Sequence, residues 1–221
     1  MVLKTLQSRL ARIYDVASAY DVYDFLVTDR SALRALPEAH AARPCEEQLL
    51  LGSDGDDLRL SLYIDAAVLR RLDADSPFQR LSERNLADYW TALEGVSHFL
   101  YVTWCASCDR HVSQLELETQ AEVDKYVATL FLLGEQAAGK FPARLHQWLF
   151  ERTAFDGNLG GAELDRYRAA NSFAARYCRR LEERFLKRRN PALESFMREI
   201  RCFYRLGTAS KLRRIEVAGH A

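Results

Sequence analysis

The most extended helical pattern in this chain lies between residues 85 and 134. Apolar side chains recur every three or four positions across residues 86–104 and again across residues 115–133. That spacing places them on one side of an α-helix. Ser113 followed by Glu116 matches the capping box at which many helices begin. The pattern therefore predicts two long helices that form an antiparallel hairpin, each with a polar face opposite its apolar one.

A pattern with a period of two occupies residues 48–64. Apolar and more polar side chains alternate over residues 58–64, which is typical of a strand with one buried face. Turn-forming residues at 52–55 separate this run from the leucines before it, and together the two halves predict a β-hairpin. Because an isolated hairpin is only marginally stable, we expect it to pack on a helix or to gain a strand from residues 24–28.

Helical spacing predicts further helices on both sides of these elements. They cover residues 3–20, 65–73, 141–155, 162–189 and 192–206. The helix at 162–189 has an apolar seam with heptad-like spacing, which is typical of a helix packed against another helix. We expect the tail at 211–221 to be partly disordered.

Composition favours a helix-rich class. The 221 residues include only 10 glycines and 5 prolines, whereas all-β folds need many turns of these residues. We therefore predict a predominantly α-helical α+β protein. Residues 1–78 form a small α+β region with the β-hairpin, and residues 79–221 form a helical bundle with a basic C-terminal half.

The charges are unevenly distributed although the net charge is zero. Residues 139–221 hold 18 Lys and Arg against 9 Asp and Glu, and residues 1–138 hold 13 against 22. An arginine-rich face on one helix is a candidate site for a polyanion or nucleic acid. Its candidate residues are Arg176, Arg179, Arg180, Arg184 and Lys187. The alternative is that these side chains form a solvated face or a docking surface for the acidic half.

Cys105 and Cys108 form a Trp-Cys-x-x-Cys motif that resembles the active site of thioredoxin-like proteins. The resemblance implies a redox role in which a helix N-terminus lowers the pKa of the first thiol. Only these five residues match, and the helical pattern that follows lacks the later strands of that fold. The alternative is that both cysteines are structural, because Cys packs as a small apolar residue.

Two metal sites are weak candidates in the same region. Cys105, Cys108 and His111 have zinc-like spacing but lack a second local pair of ligands. The other candidate joins Glu94 and His98, which share one helix face, to Glu118 and Glu122 of the next helix. The competing interpretation is an ordinary surface pair at Glu94 and His98 and a solvated face at Glu118 and Glu122.

The function that these patterns favour is a non-enzymatic interaction or regulatory protein that acts through its helices. Its partner is expected to be another protein or a second copy of this chain, and no cofactor is expected. The alternatives are a polyanion or nucleic-acid binder and a thiol oxidoreductase or metal-dependent enzyme centred on residues 94–122. Five cysteines without a secretory signal favour a cytoplasmic location, and no segment is apolar enough to span a membrane.

Overall fold

The computed structural model describes residues 1–36, 45–54, 57–137, 142, 144–151, 160–187 and 192–216. The helices in these ranges are α1 (Val2–Tyr14), α2 (Arg30–Arg34), α3 (Ala66–Ala74), α4 (Leu86–Ser107), α5 (Gln114–Gln136), α6 (Leu145–Phe150), α7 (Gly161–Leu181), α8 (Leu193–Arg205) and α9 (Thr208–Glu216). Together with one small sheet they confirm the mostly helical α+β fold class. Parts of three predicted elements, Gly55 in the turn and residues 152–155 and 188–189 in two of the helices, lie outside the described residues.

The sheet contains strands β1 (Leu26–Val27), β2 (Glu47–Asp54) and β3 (Asp57–Ile64), in the order β1-β3-β2. Strands β2 and β3 are antiparallel, which confirms the predicted hairpin, and β1 adds to β3 in parallel, as expected for residues 24–28. The prediction of a single buried face is wrong near the base of the hairpin. Leu62 on one face and Tyr63 on the other are both buried, the latter in a cluster with Leu33 and Leu50.

Two compact units divide the chain. The first contains Met1–Ala11 and Ala17–Trp104, and the second contains Arg12–Val16 and Cys105–Ala221. Helices α1 and α4 therefore contribute residues to both units. The domain boundary predicted between residues 78 and 79 stays a prediction.

Helix α4 has no broad solvated face. The predicted polar side of this helix includes His98, Tyr101 and Cys105, and all three side chains are buried. The periodicity of residues 86–104 was sufficient to place a helix but not to separate its buried and exposed sides, because apolar and polar residues alike are covered. A functional group on α4 is therefore held in a largely desolvated environment.

In the second unit α7 packs along α5 and uses its heptad-like seam inside the chain. Ala174, Cys178 and Leu181 of the seam are fully buried. After Leu181 the helix changes to a π-helical turn at Glu182–Leu186. The seam predicted for helix packing thus has a partner within the same chain.

The C-terminal tail, for which partial disorder was predicted, continues α9 as far as Glu216, and residues 217–221 lie outside the described residues. Lys211 is 1% exposed and Ile215 is 5% exposed, so these two α9 side chains are held by tertiary contacts. Helix α1 is also shorter than the predicted 3–20. Asp15 has a left-handed backbone with φ of 54°, a conformation that ends helices.

Arginines of α8 complete the end of α1 in the second unit. The Arg201 Nε donates to the Ile13 carbonyl at 2.9 Å, and Arg205 donates to the carbonyls of Tyr14 and Asp15 at 3.1 and 2.8 Å. These carbonyls belong to the last turn of a helix, where no intrahelical N–H is available. Two arginines of the basic C-terminal half therefore stabilise a helix terminus.

Gly95→Ala is expected to lower the free energy of unfolding by about 0–2 kcal/mol, the difference between an overpacking cost and a gain in helix propensity. Alanine is intrinsically better in a helix by about 1 kcal/mol, but a Cβ at this position would lie 2.9 Å from Glu47 Cγ and 3.0 Å from Leu62 Cδ1, and such overpacking costs about 1–3 kcal/mol. The matched control is Gly134→Ala in α5, where a Cβ meets nothing within 4 Å. Chemical denaturation should show a gain for Gly134→Ala; a gain for both variants would contradict the close packing at Gly95.

Candidate metal centre

A histidine and two glutamates come together in the first unit. Ligand atoms of Glu47, Glu94 and His98 all lie within 4.8 Å of one another, and this is the one such group of three or more in the described ranges. Glu94 and His98 are four residues apart on α4, so they project from the same face of the helix. Glu47 is the first residue of β2, and its Oε1 lies 3.5 Å from His98 Nδ1.

Gly95 provides the space for the side chain of Glu47. Two of the three atoms nearest to a Cβ built at Gly95 belong to Glu47, its Cγ at 2.9 Å and its Oε1 at 3.1 Å. The Glu47 side chain therefore lies against the backbone of α4, directly beside Glu94. Any larger residue at position 95 would displace it, so the absence of a side chain there is a geometric requirement of the cluster.

The cluster is desolvated on the side of Glu47 and His98. Their side chains are 9% and 5% exposed, whereas Glu94 is half-buried. Two carboxylates held this close repel each other in a low-dielectric environment unless positive charge lies between them. One imidazolium offsets one carboxylate, whereas a divalent cation offsets both. Imidazole nitrogen and carboxylate oxygen are the donors that Zn²⁺, Fe²⁺ and Mn²⁺ accept.

The sequence identified two of these three residues and missed the third. Glu94 and His98 were predicted from their spacing, with Glu118 and Glu122 as the other carboxylates. In the structure Glu47 joins the pair, while Glu118 and Glu122 belong to α5 in the second unit. The expected solvated face is wrong for Glu118, which is buried, and Glu122 accepts from Lys125 Nζ at 2.8 Å. The one local signal for Glu47 was a carboxylate at the start of a leucine-rich strand.

The cysteine motif lies at the wrong end of a helix for thiol activation. Cys105 is in the last turns of α4, and its side chain is fully buried. Burial raises the pKa of the Cys105 thiol to about 11, whereas redox-active cysteines have lowered pKa values. Cys108 is exposed, and all five cysteines are free thiols. The geometry favours structural packing of Cys105 over nucleophilic chemistry.

The five candidate polyanion-binding residues lie on α7 and on the turn that follows it. They are Arg176, Arg179, Arg180, Arg184 and Lys187. Carboxylates of the same unit pair with three of them. These ion pairs are Arg179 with Glu151 at 3.3 Å, Arg180 with Glu199 at 3.9 Å, and Lys187 with Glu182 at 2.5 Å.

The other two arginines of this set lie over aromatic rings. The guanidinium of Arg176 is 5.0 Å from the Phe173 ring centroid, and that of Arg184 is 5.1 Å from the Phe185 centroid. Arg214 adds a second ion pair with Glu199, with Nη2 and Oε2 2.6 Å apart. Each of the five basic side chains therefore has a partner within the second unit. Polyanion binding by these residues stays a prediction.

A buried lysine connects α9 to α5. Lys211 Nζ donates to Gln120 Oε1, and Gln120 Nε2 donates to Asp124 Oδ1 at 2.6 Å. The lysine ammonium also lies 4.9 Å from the centre of the Phe203 ring. Burial lowers the pKa of Lys211 to about 7, although the negative charges of Glu116 and Asp124 oppose this change. Lys211 is the first residue of the tail predicted to be partly disordered, so only tertiary packing reveals this network.

We expect the stability of the second unit to rise between pH 7 and pH 8.5 because of Lys211. The unfolded lysine keeps its proton up to about pH 10.5, whereas the folded one loses it near pH 7. Between these values the unfolded state binds more protons, so the free energy of unfolding increases with pH, by at most about 1.4 kcal/mol per pH unit. Above this window the raised pKa values of Cys105 and Cys178 act in the opposite direction.

Urea denaturation at several pH values tests this expectation. Lys211→Met should remove the increase, while the control Lys4→Met, which changes an exposed lysine paired with Asp21, should retain it. An unchanged pH dependence in Lys211→Met would show that other groups produce it.

Native thiol labelling should separate the cysteines by burial. Cys108 and Cys202 are exposed, and Cys105 and Cys178 are buried with raised pKa values. We expect the first pair to react rapidly with a small thiol reagent and the second pair to react only after unfolding. Mass spectrometry of the labelled peptides identifies each site, with Cys108→Ser as the control. Rapid reaction at Cys105 would restore the redox hypothesis.

None of the helices in the described ranges combines the length and the apolar character that a membrane span requires. Comparison with protein-family models, curated proteins and solved structures gives no match. Among the described residues, Glu47, Glu94 and His98 form the group whose ligand atoms are placed to hold a metal ion.

Proposed function

We propose that this protein binds a divalent transition-metal ion through Glu47, Glu94 and His98 and that it is a metal-dependent regulatory or interaction protein. The observation that carries the proposal is the convergence of one imidazole and two carboxylates within 4.8 Å in a desolvated part of the first unit. The sequence-based hypothesis of a metal site at Glu94 and His98 is retained, with Glu47 as the third ligand.

Charge supports a divalent ion over a monovalent one. The two carboxylates contribute two negative charges, and a neutral imidazole contributes none. A dication therefore makes the ligand set neutral, which reduces the cost of burying it. Histidine as one of the three ligands favours Zn²⁺, Fe²⁺ or Mn²⁺ over Ca²⁺ and Mg²⁺, which prefer oxygen ligands alone.

The origin of the ligands supports a regulatory role. Glu47 comes from the first position of β2, and Glu94 and His98 come from α4. A bound ion would connect a strand of the sheet to a helix, so metal occupancy changes the stability of the first unit. Three protein ligands leave room for a further one, and half-buried Glu94 marks the side from which water or a partner's side chain reaches the ion.

The other sequence-based hypotheses have less support. Polyanion binding would require basic side chains such as Arg179 and Lys187 to leave their carboxylate partners. Thiol chemistry would require a lowered pKa at Cys105, whereas burial raises the pKa of that thiol. The cytoplasmic location remains part of the proposal, and the free state of the cysteines agrees with a reducing compartment. A protein partner or a second copy of the chain is the proposed target of the regulation.

Titration calorimetry with Zn²⁺ and Mn²⁺ should show one site per chain in the metal-free protein. Glu47→Gln should weaken binding at least about tenfold, because it removes one charged ligand of three. Saturating metal, at about 100 times the dissociation constant, should raise the free energy of unfolding of the wild type by about 2.7 kcal/mol. The matched control is Glu46→Gln, because Glu46 is adjacent but pairs with Arg71 at 3.0 Å.

Loss of folding does not obscure this experiment. Without metal, Glu47→Gln removes a buried charge and should be at least as stable as the wild type. Without metal, Glu47→Gln should have the higher free energy of unfolding, and with saturating metal the wild type should have the higher one. If both variants bind metal as tightly as the wild type, or if the wild type binds none, the cluster is a purely structural polar contact.

A further inference from the structure

A polar cavity of about 200 Å³ lies in the second unit, whereas the proposed metal ligands belong to the first. It is formed by α6, the end of α7 and the π-helical turn that follows. The lining side chains on which the inference depends are His146, Glu151, Arg179, Glu182, Glu183 and Lys187. A space of this volume suits a small metabolite and is below the range of about 300–1,000 Å³ that drug-sized ligands occupy.

Glu182 is the buried charge of this cavity. Its side chain is 2% exposed, and its two oxygens have different partners. Tyr126 donates its hydroxyl hydrogen to Oε1 at 2.8 Å, and the ammonium of Lys187 lies 2.5 Å from Oε2. The lysine side chain is 47% exposed, so it reaches into the cavity wall from the solvent side. A carboxylate fixed by a buried tyrosine thus faces an ammonium on a flexible side chain.

The π-helical turn creates this arrangement. The backbone N–H of Lys187 donates to the carbonyl of Glu182 at 2.7 Å, a contact between residues five apart. A turn of this kind inserts one extra residue into a helix, and such turns occur frequently at functional sites. In this chain the π-helical turn places the buried Glu182 side chain and the Lys187 ammonium next to each other.

The charges that line the cavity favour a ligand with an ammonium group. Among the described lining residues, three carboxylates face two side chains that are always cationic, Arg179 and Lys187. The Nε2–H of His146 donates to the Ala175 carbonyl at 2.8 Å, because a carbonyl oxygen only accepts. A polyanion would be repelled by Glu151, Glu182 and Glu183.

We propose that this cavity binds a small α-amino acid. In the free protein the Lys187 ammonium is paired with the Glu182 carboxylate. The ammonium group of the ligand takes this position when the amino acid binds. The ligand's carboxylate meets the guanidinium of Arg179, which lines the same cavity and is held by Glu151 at 3.3 Å. Arginine is suited to this role because its planar fork matches a carboxylate.

Two substitutions with opposite effects test the proposal. The full-length protein is screened by thermal shift against the proteinogenic L-amino acids, and the dissociation constant of the best ligand is then measured by calorimetry. Glu182→Gln should weaken binding at least about tenfold, since it removes the charged acceptor. Lys187→Met should strengthen binding about fivefold, because it removes a competing ion pair of the strength usual for partly exposed pairs.

Matched controls and analogues make each outcome informative. Glu194→Gln and Arg168→Met change exposed residues outside the cavity lining and should leave the dissociation constant unchanged. The amine that lacks the carboxylate, and the acid that lacks the amine, should each bind more weakly than the amino acid. If Lys187→Met weakens binding, or if only the acid or inorganic phosphate binds, the cavity is an anion site and the proposal is wrong.

Equal affinity of an amino acid for the wild type and for Glu182→Gln would also overturn the proposal of an amino-acid site. The absence of any thermal shift across the amino-acid panel would overturn it as well. Circular dichroism of each variant establishes that the helices are retained. Lys187→Met should unfold at a lower temperature than the wild type, because Glu182 loses its counter-charge, and the amino acid should restore this temperature. The result does not depend on metal binding, because the metal ligands belong to the first unit.

Discussion

Buried charge is the constraint on which the interior of this protein depends. Lys211 is 1% exposed and Glu182 is also 1% exposed as a residue, and each would destabilise the fold by several kcal/mol without compensation. The chain meets this constraint with direct contacts, through the Gln120 amide for the lysine and through Tyr126 and Lys187 for the glutamate. Helix positions in the second unit are therefore fixed by polar pairing as well as by apolar packing.

The same constraint takes different forms at the two candidate sites. At the cavity of the second unit, Lys187 lies beside the buried carboxylate of Glu182. In the first unit, Glu47 and Glu94 converge on a histidine, whose imidazole is a common metal ligand. The composition of the first site suits a metal ion, whereas the ion pair at the second suits a ligand group that can exchange with a side chain. The two proposed ligands follow from this difference.

Arginine has a different role here from the one that its sequence distribution indicates. A face rich in arginine is typical of a surface for phosphates, yet Arg201 and Arg205 complete the end of α1 and Arg214 pairs with Glu199. The guanidinium group is suited to both uses, because it presents several donors in a fixed plane. Charge asymmetry along a sequence therefore indicates where ionic contacts form, but not whether their partners lie inside or outside the molecule.

The sequence alone determined the elements that depend on neighbouring residues. The helices at α4, α5 and α8, the hairpin of β2 and β3, and the pairing of Glu94 with His98 on one helix face all follow from periodicity, because residues three, four or two positions apart share a face. Only the tertiary structure decided that Glu47 joins that pair and that Lys211 and Cys105 are buried. Each of these depends on residues distant along the chain, and burial, which sets the charge state and the accessibility of a side chain, is a property of the packed fold rather than of any local segment.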